Sequence, residues 1–258
     1  MIKIKQHREI EGQIKTLTIK KENDEGYVVF SCDEVPIENV NNNFKSEVEG
    51  IDVGIKNFLV CSDKKEFNNP KFLKRSEKKL KRLQRKHSKK KKGSNNRKKA
   101  RKSVAKLYEK ITNVRRDFLH KLTTKLIKEN KFIAMEKLDI KQMSQKKYFN
   151  ARNMLDCSWG EFGSLLNYKA ENAGCLVVKV NPKNTSKRCS NCGNLQDMPL
   201  WKRTYECDCG LVLDRDYNSA KNIINLGQEL SYVENNSSVP LVQGLSMKQE
   251  APSLNLRI

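Results

Sequence analysis

Four cysteines between residues 189 and 209, and three acids at 52, 136 and 216, are the residues of this sequence whose types and spacing could do chemistry. Cys189 and Cys192 form CSNC, Cys207 and Cys209 form CDC, and a glycine follows each pair, Gly193 and Gly210. Tetrahedral zinc takes four soft ligands at about 2.3 Å, and tight turns deliver them in pairs. Glycine admits the backbone conformation such turns need. The spacing predicts a structural zinc site, provided the CDC pair, one residue shorter than the common CxxC, still reaches the ion. A closed four-thiolate site offers no open coordination position, so hydrolysis must be done elsewhere.

The acids are the candidates for that chemistry. Asp52 lies in GIDVGIKNFLV, Glu136 in KFIAMEKLDI, and Asp216 in DRDYNSAKNI at the start of the last helix. Charged residues are unusual in strands this apolar. Each alone is as readily a turn or capping residue. Converging, three carboxylates could hold two hard cations, magnesium or manganese, about 4 Å apart, which would activate a water and stabilise a leaving oxygen. The other cysteines, Cys32, Cys61, Cys157 and Cys175, stand singly and read as core thiols. The histidines, His7, His87 and His120, share no spacing with either set.

The charge says what such a centre would act on. The net charge is +22, and residues 71–130 alone carry 25 of the 52 Lys and Arg with only four acids. The rest of the chain is close to neutral. So local a concentration of positive charge predicts a polyphosphate partner, since phosphate contacts with counterion release dominate nucleic-acid affinity. Its centre, Lys89, Lys90, Lys91, Lys92, Arg97, Lys98, Lys99 and Arg101, is the candidate nucleic-acid-binding set. The alternative is a solvated basic helix pair with no dedicated partner.

Certain elements must position these groups. Residues 2–34 alternate like strands, with QIKTLTIKK and YVVFSC flanking a turn. Residues 36–48 read as a linker. IDVGI and FLVCS predict a strand pair with a turn at Lys56-Asn57. Residues 72–92 are helical, GSNN at 93–96 breaks them, and Val104, Leu107, Ile111, Val114, Phe118, Leu122 and Leu126 mark one face of a second helix. The first arm has too few apolar residues for a coiled coil, so the seam predicts packing within the chain. KFIAMEKLDI is a strand, residues 141–156 read as mobile, and 158–174 as an amphipathic helix. CLVVKVNP reads as a buried strand. A last helix is expected to end at Gly227, and 229–258 to be disordered. Mean hydropathy is −0.76, no apolar run reaches eighteen residues, and the charged start is not a secretory signal. No membrane partner is expected, and the location expected is the cytoplasm, where paired cysteines bind metal rather than form disulfides.

GIDVGIKNF, the basic run LKRLQRKHSKKKKGSNNRKKARKSVAKLYEKI, RRDFLHKLTTKLI, FIAMEKLDI, SWGEFGSLLNYKAENAG, KRCSNCG and DRDYNSAKNI follow in one order. Together they resemble the C-terminal part of the TnpB family, transposon-encoded RNA-guided DNA endonucleases related to the type V CRISPR effectors. The likeness extends over nearly the whole chain. It implies a mixed α/β, RuvC-like ribonuclease H-type domain over 49–228, with a basic helical hairpin inserted at 71–130 and a zinc ribbon at 185–212. A partial β, wedge-like unit over 1–48 would precede it. It also implies Asp52, Glu136 and Asp216, not Asp214, as the catalytic triad, with magnesium or manganese, and Cys189, Cys192, Cys207 and Cys209 as zinc ligands. The partners implied are DNA and, in the family, a guide RNA. Met1 falls inside the wedge-like strands, so the region that contributes to guide binding is not expected here. Two other functions share these residues: a nucleic-acid-binding protein without nuclease activity, and a transposase that joins DNA ends.

Overall fold

A computed structural model describes residues 4–6, 9–22, 25–34, 44, 46–145, 151–199, 201–236 and 256–257. The chain divides into two compact units: Met1–Asn39 with Lys78–Lys110 and Pro240–Ile258, and Val40–Glu77 with Ile111–Val239.

In the first unit, β1 (Gln13–Glu22) and β2 (Glu25–Asp33) pair antiparallel, and β10 (Leu256–Arg257) pairs with β2. Ahead of them Lys5 forms an isolated bridge, and Met1–Lys3 lie outside the described residues. Alternation buries Val28 and Phe30 of β2, while every residue of β1 is exposed. This unit also holds the tip of the basic hairpin formed by α1 (Phe72–Ser88) and α2 (Asn95–Glu129). Gly93 turns the chain at φ 84°, and Ser94 caps α2 by accepting from the Arg97 amide at 3.2 Å.

In the second unit, five strands lie in the order β5 (Glu66–Asn68), β4 (Asn57–Cys61), β3 (Ser46–Val53), β6 (Asn130–Glu136), β7 (Leu176–Val180). The pairs β5/β4 and β4/β3 are antiparallel, whereas β3/β6 and β6/β7 are parallel. Period-two alternation sends the residues of β3 and β6 to two different layers. Ile51, Ile133 and Met135 join Leu119, Leu122, Leu126, Trp159, Phe162 and Leu166 of α2 and α5 (Trp159–Ala173) in the larger core. Phe132 and Ala134 join Ile223 and Ile224 of α6 (Arg215–Asn236) on the other face. Two glycines let α6 approach. A methyl group on Gly50 would lie 2.2 Å from the Ala220 carbonyl oxygen, and one on Gly227 would lie 2.5 Å from the Ala134 methyl.

The structure corrects several expectations. Gly227 does not end the last helix; α6 continues to Asn236, and the glycine serves close approach to β6. The disordered tail therefore does not begin at 229; residues 237–255 and 258 lie outside the described residues. The segment 141–156, expected to be mobile, contains the end of α3 (Ile140–Met143), capped by Asp139, and α4 (Ala151–Cys157), with 146–150 outside the described residues. Strand β6 ends at Glu136 instead of residue 140, and β7 is an edge strand with Leu176 53% exposed, not a buried one. The β3–β4 turn falls before Asn57, which already belongs to β4. On α2, Val114 is exposed while Leu119 and Ile127 are buried, because a 3.6-residue turn drifts off a fixed three-four spacing over so long a helix. The expected linker 36–48 overlaps the start of β3 at Ser46; residues 35–43 and 45 lie outside the described residues.

The cysteine insert carries β8 (Thr204–Glu206) and β9 (Val212–Asp214), paired antiparallel.

Candidate functional site

The three acids meet at one end of the sheet, on the α6 side. Gly50 faces α6, so Asp52, two residues on, faces the same way. Ile51 pairs with Met135 across the parallel ladder, and Asp52 and Glu136 are the next residues on the two strands. Asp216 lies in the first turn of α6. Its neighbour Asp214 caps that helix, accepting from the amides of Asp216 at 2.8 Å and Tyr217 at 3.2 Å. The two acids of DRD therefore do different work, one closing the helix and one facing the sheet acids.

Burial holds all three carboxyls above their ordinary values, and repulsion from the other two adds to it at Asp52. For Asp52, burial acts first, then the charges of Glu136 and Asp216, opposed by Arg215 and a hydrogen bond from Ser219. Glu136 is raised by burial and pulled down by the Thr185 hydroxyl, which donates to its Oε1 at 2.5 Å. Asp216 is raised by burial and by Asp214, against the cations Arg203, Arg215 and Lys56. Arg203 Nη1 stands 3.7 Å from Asp216 Oδ1. Buried like charges with hard oxygen donors form the donor set that magnesium or manganese takes.

The four cysteines come together as their spacing predicts. Cys189 and Cys209 Sγ are 3.7 Å apart, and Cys192 and Cys207 Sγ are 3.6 Å apart. All four sulfurs lie within 4.8 Å of one another. Bonds of about 2.3 Å to a tetrahedral ion give edges of about 3.8 Å, so the set fits zinc. The short CDC pair reaches because its turn is one residue tighter. The Cys207 amide donates to the Leu211 carbonyl at 2.9 Å, whereas the Cys189 amide reaches Asn194. Gly193 and Gly210 take φ 78° and 87° in these two turns. The Cys209 thiol is held down to about 6, chiefly by the Leu211 amide and then by Asn191.

Another set of ligand atoms within 4.8 Å, Glu49, Cys61 and Asp63, was not expected from the sequence. Glu49 is buried, yet it accepts from Ser62 Oγ at 2.6 Å and the Asp63 amide at 3.2 Å, which accounts for it structurally. The acid trio is not among the sets this tight.

On the hairpin, Lys89, Lys91, Lys92, Lys98, Lys99 and Arg101 are exposed and Lys90 is half-buried. Arg97 is half-buried and donates to the carbonyls of Lys90 at 2.9 Å and His87 at 3.4 Å, closing the hairpin turn.

Sequence reasoning missed Thr185, Ser219 and the pair Asn218/Asn222. The four-residue spacing of the two asparagines in DYNSAKN was the available signal. It puts both on one face of α6, and the structure buries both.

A family model described as "Probable transposase" (OrfB_IS605) matches residues 30–147, and one described as "Cas12f1-like, TNB domain" matches 159–223. A Streptomyces pristinaespiralis protein named "Putative RNA-guided DNA endonuclease" is 41% identical over 182 residues, covering 69% of this chain and 44% of its own length. The Escherichia coli K12 protein "Putative RNA-guided DNA endonuclease InsQ" is 30% identical over 237 residues, covering 85% of this chain and 58% of its own. The fold is similar to that of Cas12f1 in the cryo-EM structure of its complex with sgRNA and target DNA. There the TM-score is 0.50 at 24% identity, over 81% of this chain and 55% of that one. The fold is thus a mixed α/β one similar to that of Cas12f1. The chain belongs to the TnpB family. It spans about half the length of the curated relatives it matches. Among the described residues no helix is long and apolar enough to cross a membrane.

Proposed function

We propose that Asp52, Glu136 and Asp216 form the centre of a metal-dependent DNA endonuclease on a RuvC-like, ribonuclease H-type domain. The observation that carries this is the gathering of three acids, distant in sequence, beneath the first turns of α6, each raised by burial. The strand order, with three antiparallel strands followed by two parallel to the first, supports the domain type. Two magnesium or manganese ions held there would supply an activated water and neutralise the leaving oxygen of a phosphodiester. The chain's own part is to fix the carboxylates and set cations beside them. Arg203, Arg215 and Lys56 stand where an incoming phosphate would be drawn. Zinc in the four-cysteine ribbon is structural. The exposed cations from Lys89 to Arg101 bind nucleic acid through its phosphates. DNA is the substrate of this reading, and the relatives' names, which call them RNA-guided, make a guide RNA the partner to test beside it.

The description of the matching family as a transposase keeps strand joining as a second outcome. One assay separates them. Labelled single-stranded DNA with manganese, with and without RNA copurified from the host, should yield shortened fragments and none longer than the substrate. Longer, joined products would favour the transposase. Binding without any cleavage would leave a nucleic-acid-binding protein.

A further inference from the structure

We propose that Thr185 is a positioning residue for the carboxylate centre, and that the cysteine ribbon acts on that centre through it. This rests on the nuclease reading above. Thr185 is 4% exposed and lies four residues before Cys189. Its hydroxyl has one proton and two acceptors in reach, Glu136 Oε1 at 2.5 Å and the Pro182 carbonyl at 3.1 Å. The shorter, charged acceptor takes it.

The segment that carries Thr185 is sewn to α6. Asn222 Nδ2 donates to the carbonyls of Thr185 at 2.8 Å and Arg188 at 2.7 Å. Asn218 Nδ2 donates to the Arg188 carbonyl at 2.8 Å, and its Oδ1 accepts from the Ser190 amide at 3.0 Å. Both asparagines are fully buried, so these bonds replace ones that water could otherwise make. Cys189 lies between the stitched residues Arg188 and Ser190. Residues 185–190 are thus held at one end by a metal-binding turn, along their backbone by the helix that carries Asp216, and through the Thr185 hydroxyl by Glu136.

The consequence is that a single strap registers two catalytic acids from different elements. Glu136 stands at the end of β6 and Asp216 at the start of α6. Thr185 fixes one oxygen of the first in a frame bolted to the second. Partners of this kind behind a metal ligand are worth about 10–100-fold in metal affinity or activity.

The test uses the full chain and manganese alone. Binding is read from the electron paramagnetic resonance of free Mn2+, so that no turnover is needed. Thr185→Val keeps the volume and loses the donor; Thr185→Ser keeps the donor. The valine variant should bind Mn2+ about 10–100-fold more weakly, with serine close to wild type and zinc content equal in all three. Thr185→Ala replaces the valine variant if that one fails to fold. Valine and alanine variants that bind Mn2+ like wild type overturn the proposal. So does a serine variant as weak as valine, since packing rather than the hydroxyl would then matter. The nuclease reading fails separately, if the wild type binds Mn2+ tightly yet cuts nothing. Wild-type protein that binds no Mn2+ sinks both.

Discussion

Asp216→Ala should lower DNA cleavage by at least about 10³-fold, a barrier increase of roughly 4 kcal/mol, while zinc content and nucleic-acid affinity stay near wild type. In the proposed centre this carboxylate is one of three that would share the cations, and hard cations need several such oxygens at once. Its removal should disable the site rather than weaken it. Asp214→Ala, two residues away, is the informative control. That side chain caps α6 through the Asp216 and Tyr217 amides. Losing a cap costs about 1 kcal/mol of stability, and cleavage should fall by about tenfold or less. Single-turnover rates of the two variants, measured beside thermal melts, check the difference. Equal loss in both would mean that the helix start, not a particular carboxylate, is what cleavage needs.

Cys209→Ser is expected to empty the ribbon of zinc and to expose residues 185–215 to protease. Structural zinc in small peptides contributes on the order of 10 kcal/mol at neutral pH, and β8 and β9 have only three residues each to hold the insert without it. The local core there is small: Cys189, Met198 and Tyr205 are its buried members. Cleavage should fall as well, because the strap from Thr185 to Ser190 loses its anchor at Cys189. Metal analysis and limited proteolysis read the first effect directly. Purified wild-type protein without zinc, or a Cys209→Ser variant as protease-resistant as wild type, would show that the four thiols are not a metal site.

The features legible in the sequence were those that period and residue type encode locally. The apolar, β-branched stretches IDVGI and FIAME predicted β3 and β6, the cysteine spacing predicted two turns, and the apolar residues of α2 predicted most of its buried face. What escaped depends on contacts between distant segments. Nothing near Gly227 distinguishes a helix end from a helix pressed against Ala134; only the pairing of α6 with β6 does. Nothing in CLVVKVNP says that, among the described residues, no strand lies beyond β7, so an edge strand read as a buried one. Asn218 and Asn222 look like ordinary polar helix residues until the ribbon backbone is laid against them. The residue roles of the acids came through resemblance; their convergence is a property of the folded sheet, where the Ile51–Met135 pairing sets Asp52 beside Glu136.

The most direct test of the central claim is the number of Mn2+ ions bound per chain, counted by equilibrium dialysis against wild type and Asp52→Asn. Asparagine keeps the shape of the residue beside Ser219 and removes the charge that Glu136 and Asp216 oppose. The account predicts two Mn2+ ions beyond the ribbon metal in wild type, and none held at comparable affinity in the variant, which stays folded and keeps its zinc. An unchanged Mn2+ count in folded Asp52→Asn would contradict it.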